Sequence, residues 1–128
     1  MLHVLAICLG ACAGALLRWQ LGLWLNNPGA QPWGTLAANA VGGYLVGLIL
    51  AGLHAHPQLD PVWRLLLVTG FLGALTTFSS YSAEVFLLLQ AQRWGMALLW
   101  ASTHVGASIA LTAAGWYSAQ AWLQRASM

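Results

Sequence analysis

Four long stretches of apolar residues follow one another along the chain, separated by short segments rich in turn-forming residues. They run from about Leu2 to Leu25, from Trp33 to about Leu53, from near Val62 to about Leu89, and from Trp94 to about Trp122. Each reaches the length of about 20 residues with which an α-helix crosses a bilayer. The pattern therefore predicts four transmembrane helices in an all-α membrane protein.

Helix-ending residues occupy the segments between the apolar stretches. Asn26-Asn27-Pro28-Gly29 follows the first stretch, His54-Ala55-His56-Pro57 follows the second, and Asp60-Pro61 precedes the third. Such short connections leave no room for an aqueous lobe or a second domain. Residues 1–128 are therefore predicted to form a single four-span domain.

The composition agrees with a protein that lies in a lipid bilayer. Hydrophobic residues make up 60% of the 128 residues and charged residues only 5%, whereas a soluble surface carries about a quarter or more of charged residues. The net charge of +2 is too small and too scattered to indicate nucleic acid as a partner. The composition thus predicts an integral membrane protein.

The arginines are divided equally between the two sides of the predicted membrane. With four spans, Arg64 and Arg125 lie on the side of both termini, and Arg18 and Arg93 lie on the opposite side. This balance leaves no asymmetry for the positive-inside rule to act on. A chain without orientation bias can insert both ways, so the balance favours an antiparallel, dual-topology homodimer. The alternative is coincidence in a chain with few charges.

The third stretch contains an unusually polar segment for a membrane span. Residues 70–84 read Gly-Phe-Leu-Gly-Ala-Leu-Thr-Thr-Phe-Ser-Ser-Tyr-Ser-Ala-Glu and include one of the two acidic residues, Glu84. Polar groups in hydrocarbon are costly, so this segment is expected to face a partner, a cavity or an ion pathway. Gly70 and Gly73, followed by two threonines, also predict a break near the middle of this helix.

A break at membrane depth would supply two kinds of ligand. Its free carbonyl oxygens suit a small hard cation, and the hydroxyl groups can donate to an anion. Phe78 and Tyr81 share a helical face, either as core aromatics or as ring edges that stabilise an anion. Glu84 is expected to accept hydrogen bonds from Ser80 or neighbouring hydroxyl groups. The chain lacks the nucleophile, base and metal-ligand clusters that would indicate an enzyme.

The other spans each carry a face of small or polar residues. Gly10, Gly14 and Gly22 recur around Arg18 at intervals of four and predict close helix packing. Arg18 is either a snorkelling interfacial residue, a charge at a pore mouth or a tie between helices. Asn39 is interpreted as a hydrogen-bonding contact between helices in preference to a donor for an anion. A polar stripe follows the fourth span through Trp100, His104, Ser108 and Thr112. It is interpreted either as a contact with another helix or as the lining of a hydrated path.

Three motifs together resemble the Fluc (CrcB) fluoride channels. They are Gly-x-x-x-Arg at 14–18, Gly-Thr-Leu-x-x-Asn-x-x-Gly at 34–42, and Gly-Phe-x-Gly-x-Leu-Thr-Thr-Phe-Ser-x-x-Ser-x-Glu at 70–84. The third motif is highly specific, and the other two are weak alone but occur in the right order. The length and the number of spans also agree with this family.

The resemblance implies a dual-topology antiparallel homodimer in the bacterial inner membrane that releases fluoride passively through two pores. It implies that a structural sodium ion at the dimer centre is bound by backbone carbonyls of Gly73 and Thr76. Arg18 and Glu84 would be structural or pore-mouth residues. The residues that the resemblance assigns to the fluoride pore are Asn39, Phe78, Ser79, Ser80, Tyr81, His104 and Ser108.

Three positions depart from the family pattern. Tyr81 replaces the usual second phenylalanine of the pore, Gly73-Ala74 replaces Gly-Gly, and His104 adds a titratable group to the polar stripe. The nearest rival class is the small multidrug-resistance exporters, which are also four-span dual-topology dimers. They depend on a glutamate in the first span, where this chain has Arg18 and no carboxylate. A non-transporting scaffold subunit would explain the glycine faces but not the hydroxyl cluster.

Overall fold

The computed structural model describes residues 1–27 and 31–126. Within them, four helical stretches are long and apolar enough to cross a membrane. The first, second and fourth are the continuous helices α1 (Leu2–Leu25), α2 (Trp33–Ala55) and α6 (Trp94–Ala126). The third spans Pro61–Gln90 and is divided into α3 (Pro61–Arg64), a π-helical segment (Leu65–Leu72), α4 (Gly73–Leu75) and α5 (Phe78–Gln90).

The predicted four-span, all-α architecture is confirmed. α1 has the predicted bounds, while α6 continues to Ala126, one turn beyond the expected end at Trp122. Pro28 and Gly29 of the first predicted turn lie outside the described residues.

Side-chain oxygens accept hydrogen bonds from backbone N–H groups at the start of two spans. Asp60 Oδ1 accepts a hydrogen bond of 2.8 Å from the Val62 N–H, with Pro61 in the first helical position, where its missing N–H costs nothing. Asn26 Oδ1 accepts a bond of 2.8 Å from the Gly34 N–H. The Asn26 side chain therefore joins the end of α1 to the start of α2.

Glycines bring α1 into backbone contact with the first half of the third span. A Cβ atom at Gly10 would meet the Leu66 carbonyl oxygen, and one at Gly14 would meet the Phe71 carbonyl oxygen. Gly70 lies on the other side of this contact, where a Cβ would be 2.7 Å from the Ile7 carbonyl oxygen. The four-residue glycine repeat of α1 is therefore a packing face, as predicted.

A second glycine contact joins α2 to α6. A Cβ atom at Gly47 would meet the Thr112 carbonyl oxygen, and one at Gly115 would meet the Tyr44 carbonyl oxygen. A small apolar core lies between α2 and the third span and consists of Ala38, Leu72 and Leu75. These contacts place the middle of α2 against both the third span and α6.

The third helix is broken, as predicted, but the break lies at the two threonines. Thr76 (φ −83°, ψ 155°) and Thr77 (φ −149°, ψ 119°) are extended, whereas Gly73 keeps a right-handed helical conformation (φ −61°, ψ −31°). A break in a helix leaves backbone N–H and carbonyl groups without helical partners. At Thr77 the Asn39 side chain supplies substitute partners for both groups, so the break occurs there and the glycines stay helical. The π-helical turn before the break was not anticipated from the sequence.

Candidate functional site

A groove of about 540 Å³ lies beside the break, between α2, the third span and α6. It collects seven of the residues to which the sequence assigned a role in ion binding or conduction. They are Asn39, Gly73, Thr76, Phe78, Tyr81, His104 and Ser108. Residues far apart in the chain are therefore brought to one surface.

The Asn39 side chain replaces the helical partners that Thr77 lacks. Its Oδ1 accepts a hydrogen bond of 2.7 Å from the Thr77 N–H, and its Nδ2 donates to the Thr77 carbonyl oxygen at 3.0 Å. Nδ2 also lies 3.3 Å from Nδ1 of His104. A contact between helices was the favoured interpretation of Asn39, and the structure confirms that contact, made to the backbone of the break.

The Thr77 hydroxyl group caps α5. Its Oγ1 accepts a hydrogen bond of 3.1 Å from the Ser80 N–H and donates to Ser80 Oγ at 3.1 Å. Ser79 Oγ lies 3.2 Å from the same oxygen. Ser79 and Ser80 are exposed in the protomer and lie beside the break, but neither side chain contributes to the lining of the groove.

Two carbonyl groups lose their helical donors at the break. In a continuous helix the Thr77 N–H would bond the Gly73 carbonyl, and the Ser80 N–H would bond the Thr76 carbonyl. The first of these N–H groups instead donates to Asn39 Oδ1, and the second to Thr77 Oγ1. The carbonyls of Gly73 and Thr76 are thus released from these bonds. Free carbonyl oxygens are suitable ligands for a hard cation, the role expected for them from the sequence.

Aromatic rings form a continuous series along the groove. The ring centroids of Phe78 and Tyr81 are 5.4 Å apart, and those of Tyr81 and His104 are 4.8 Å apart. Trp100 continues the series with its centroid 5.1 Å from that of His104. Phe78 is 78% exposed in the protomer, so its ring is not a core aromatic of this chain.

Glu84 has a different partner from the one expected. Its Oε2 accepts a hydrogen bond of 3.0 Å from Nε1 of Trp100 and lies 3.9 Å from Nε2 of His104. The expectation that a hydroxyl group supplies the hydrogen bond was wrong in this respect. One turn of α6 instead places two ring nitrogens near the carboxylate, Trp100 Nε1 and His104 Nε2. Glu84 lies behind the aromatic series and does not line the groove.

Arg18 lies apart from these residues. It is partly buried on α1 between Gly14 and Gly22 and does not line the groove. Its role as a pore-mouth or structural residue stays a prediction.

Sequence reasoning placed Thr77 at the break and Trp100 in the polar stripe but missed their roles as the cap of α5 and the donor to Glu84. Threonine is a favoured N-cap residue, and Thr77 marks the start of α5. Trp100 is the one tryptophan placed well inside a predicted span, and a buried carboxylate such as Glu84 requires a donor. Both signals were present in the sequence.

The groove is neutral and mostly apolar, with a few polar groups in its lining. It offers hydroxyl, amide, imidazole and backbone groups, and none of the described residues that line it is an arginine, lysine, aspartate or glutamate. Aromatic ring edges add weakly positive surfaces. Such a groove can take up a small ion without holding it by a full opposite charge.

The sequence matches a family model described as CrcB-like protein, Camphor Resistance (CrcB), over residues 5–116. Several relatives are named fluoride-specific ion channel FluC. The one from Paracidovorax citrulli is 54% identical over 98% of this chain and 99% of the relative. The relative of that name in Variovorax paradoxus is 60% identical over 94% of this chain and 97% of the relative. In Albidiferax ferrireducens the identity is 58%, over 90% of this chain and 88% of the relative.

Proposed function

Because the chain belongs to the CrcB-like protein family, we propose that it is a fluoride-selective ion channel that releases fluoride passively across the membrane. It is a multi-pass protein of the bacterial inner membrane. Fluoride that enters a cell as HF and loses its proton is trapped as the anion, and a passive channel relieves this accumulation. The relatives' shared name supports the choice of ion.

The neutral groove beside the helix break is the structural observation that carries this proposal. Fluoride is small and strongly hydrated, so a pathway must replace its water with donors and still let it leave. Ser108 and the Tyr81 hydroxyl group bring polar hydrogens to the groove, while the Asn39 NH₂ group is engaged by the Thr77 carbonyl oxygen and His104. Because no fixed charge lines the groove, the bound anion remains able to escape.

We further propose that the groove is completed by a second, antiparallel copy of the chain. Phe78, 78% exposed in the protomer, lines a groove that opens to the protein surface. A pathway for a hydrated anion must be shielded from lipid. The equal division of the arginines between the two sides supports both orientations. Two such grooves in a dual-topology homodimer would form two pores.

A structural sodium ion at the dimer centre is also part of the proposal. The carbonyls of Gly73 and Thr76 suit it because their helical donors are engaged by Asn39 and Thr77. Gly73 is exposed in the protomer, so its backbone is accessible to a second copy. A bound sodium ion would neutralise the carbonyl dipoles that the break leaves without donors.

Release of fluoride from liposomes tests the proposed function. Purified protein is reconstituted with internal fluoride or chloride, a potassium ionophore balances the charge, and an ion-selective electrode follows each anion. We expect rapid fluoride release and chloride release at the rate of protein-free vesicles. Equal release of the two anions, or no fluoride release with the ionophore present, would contradict the proposal.

A further inference from the structure

The orientation of the Asn39 amide determines which nitrogen of His104 carries a proton. The Thr77 N–H is a donor, so the Asn39 atom that it meets at 2.7 Å must be the oxygen. The amide NH₂ group therefore faces the Thr77 carbonyl oxygen at 3.0 Å and His104 Nδ1 at 3.3 Å. Because the NH₂ group only donates, Nδ1 of His104 must be the acceptor.

A neutral imidazole with an accepting Nδ1 carries its proton on Nε2. This atom is buried and has no hydrogen-bond partner within the described part of the chain. It lies 3.9 Å from Glu84 Oε2, and the same oxygen is held by the Trp100 indole N–H at 3.0 Å. The buried N–H of His104 thus lies near the carboxylate without a hydrogen bond to it.

The same geometry disfavours a charged imidazole. An imidazolium carries a proton on Nδ1, which would face the N–H groups of Asn39. Asn39 cannot turn over to accept that proton, since its oxygen would then leave the Thr77 N–H without an acceptor. Tyr81 and Glu84 from α5 and Asn39 from α2 face the ring, and Glu84 is the one charged group among them.

We infer that His104 is a positioning residue, which acts on the ion pathway by holding the Asn39 amide against the helix break as a neutral, Nε2-protonated acceptor. The inference rests on the proposed fluoride conduction for its functional consequence. It explains why a titratable ring 3% exposed adds no fixed positive charge to the groove. His104 links Glu84 and Trp100 behind the groove to Asn39 at its centre.

Nitrogen NMR of protein labelled with ¹⁵N-histidine tests the tautomer without measuring transport. The His104 signals are identified by their loss in His104→Gln, and the exposed His3 and His56 serve as internal references. We expect a bare Nδ1 and a protonated Nε2 at neutral pH. In Asn39→Asp an oxygen replaces the amide nitrogen, so the proton should move to Nδ1. An Nδ1-protonated or doubly protonated ring in the wild type would overturn the inference.

Fluoride release from liposomes tests the positioning role. His104→Gln supplies an acceptor and a donor on one side chain and is expected to retain release within about twofold of the wild type. His104→Phe keeps a ring between Tyr81 and Trp100 but removes the acceptor, and release should fall on the order of tenfold, the equivalent of one lost hydrogen bond. Wild-type release by His104→Phe would overturn the role.

The two readouts separate this inference from the proposed function. If no protein, including the wild type, releases fluoride, the proposed function fails, whereas the NMR result still decides the tautomer. If the wild type conducts and both His104 variants conduct equally well, conduction stands and the positioning role is wrong.

Discussion

The two halves of the third span are held in the membrane by different forces. Residues 61–75 pack against α1 through close backbone contacts at Gly10, Gly14 and Gly70. Residues 78–90 contact α6, where the Glu84 carboxylate is held by the Trp100 indole N–H. Between the halves, Thr76 and Thr77 are extended, and Asn39 of α2 holds the Thr77 backbone.

This difference shows how a membrane helix can contain a break while both of its halves keep their positions. The first half is fixed by close backbone packing between α1 and the π-helical segment and by the apolar core that Leu72 and Leu75 form with Ala38 of α2. The second half can then begin again as a new helix with its own cap at Thr77. The polar groups of the break are therefore available to a groove while the span stays anchored.

The largest effect is expected from a bulky residue in the α1 contact. Gly14→Val places a Cβ atom against the Phe71 carbonyl oxygen, so the first half of the third span must move away. We expect a loss on the order of 3 kcal/mol of folding free energy, a large share of the stability of a typical domain. Thermal unfolding and size-exclusion elution in detergent measure this.

Gly106→Ala is the matched control for that variant. A Cβ atom at Gly106 of α6 would meet no atom within 4 Å in the protomer, and alanine favours a helix over glycine by about 1 kcal/mol. Equal loss of folded protein in both variants would show that helical glycines in general, rather than the α1 contact, limit stability.

A smaller effect is expected at the cap of the second half. Thr77→Val removes the acceptor for the Ser80 N–H at a cost of about 1 kcal/mol, and fluoride release should fall about fivefold if that energy positions the break. Thr77→Ser keeps the hydroxyl group and should restore both stability and release. Thr77→Val that behaves like Thr77→Ser would show that the cap is dispensable.

The smallest effect is expected at Gly73, near the end of the first half. A Cβ atom there would come no closer than 3.6 Å to the Val68 carbonyl oxygen, an ordinary contact. Gly73→Ala should therefore not lower the unfolding free energy, and the helix preference of alanine should raise it by at most about 1 kcal/mol. Thermal unfolding checks this, and loss of folded protein comparable to that of Gly14→Val would contradict the comparison.

Much of the fold could be predicted because bilayer spans have a strong pattern in sequence. Apolar length and turn residues gave the bounds of α1 and the start of α6 at Trp94. The position of the break was harder to predict. Glycine permits a break but does not cause one, and the cause at Thr77 is a hydrogen-bond partner, Asn39, that lies 38 residues away in the chain.

The residues of the candidate site could be predicted from the sequence, but their hydrogen-bond partners could not. Residue types and the family resemblance selected Asn39, Phe78 and His104, and the structure brings them to one groove. Which nitrogen or oxygen faces which partner depends on packing between α2, α5 and α6, and no local pattern records it. The Glu84–Trp100 bond therefore went unrecognised, and hydroxyl groups were expected in its place.

The most direct test of the account is anion release by Phe78→Ile, with Phe86→Ile as its control. Phe78 lines the groove, whereas Phe86 is 57% exposed on α5 and does not line it. We predict that Phe78→Ile elutes like the wild type but loses fluoride release from liposomes, while Phe86→Ile retains it. Wild-type fluoride release by Phe78→Ile would contradict the claim that fluoride passes through this groove.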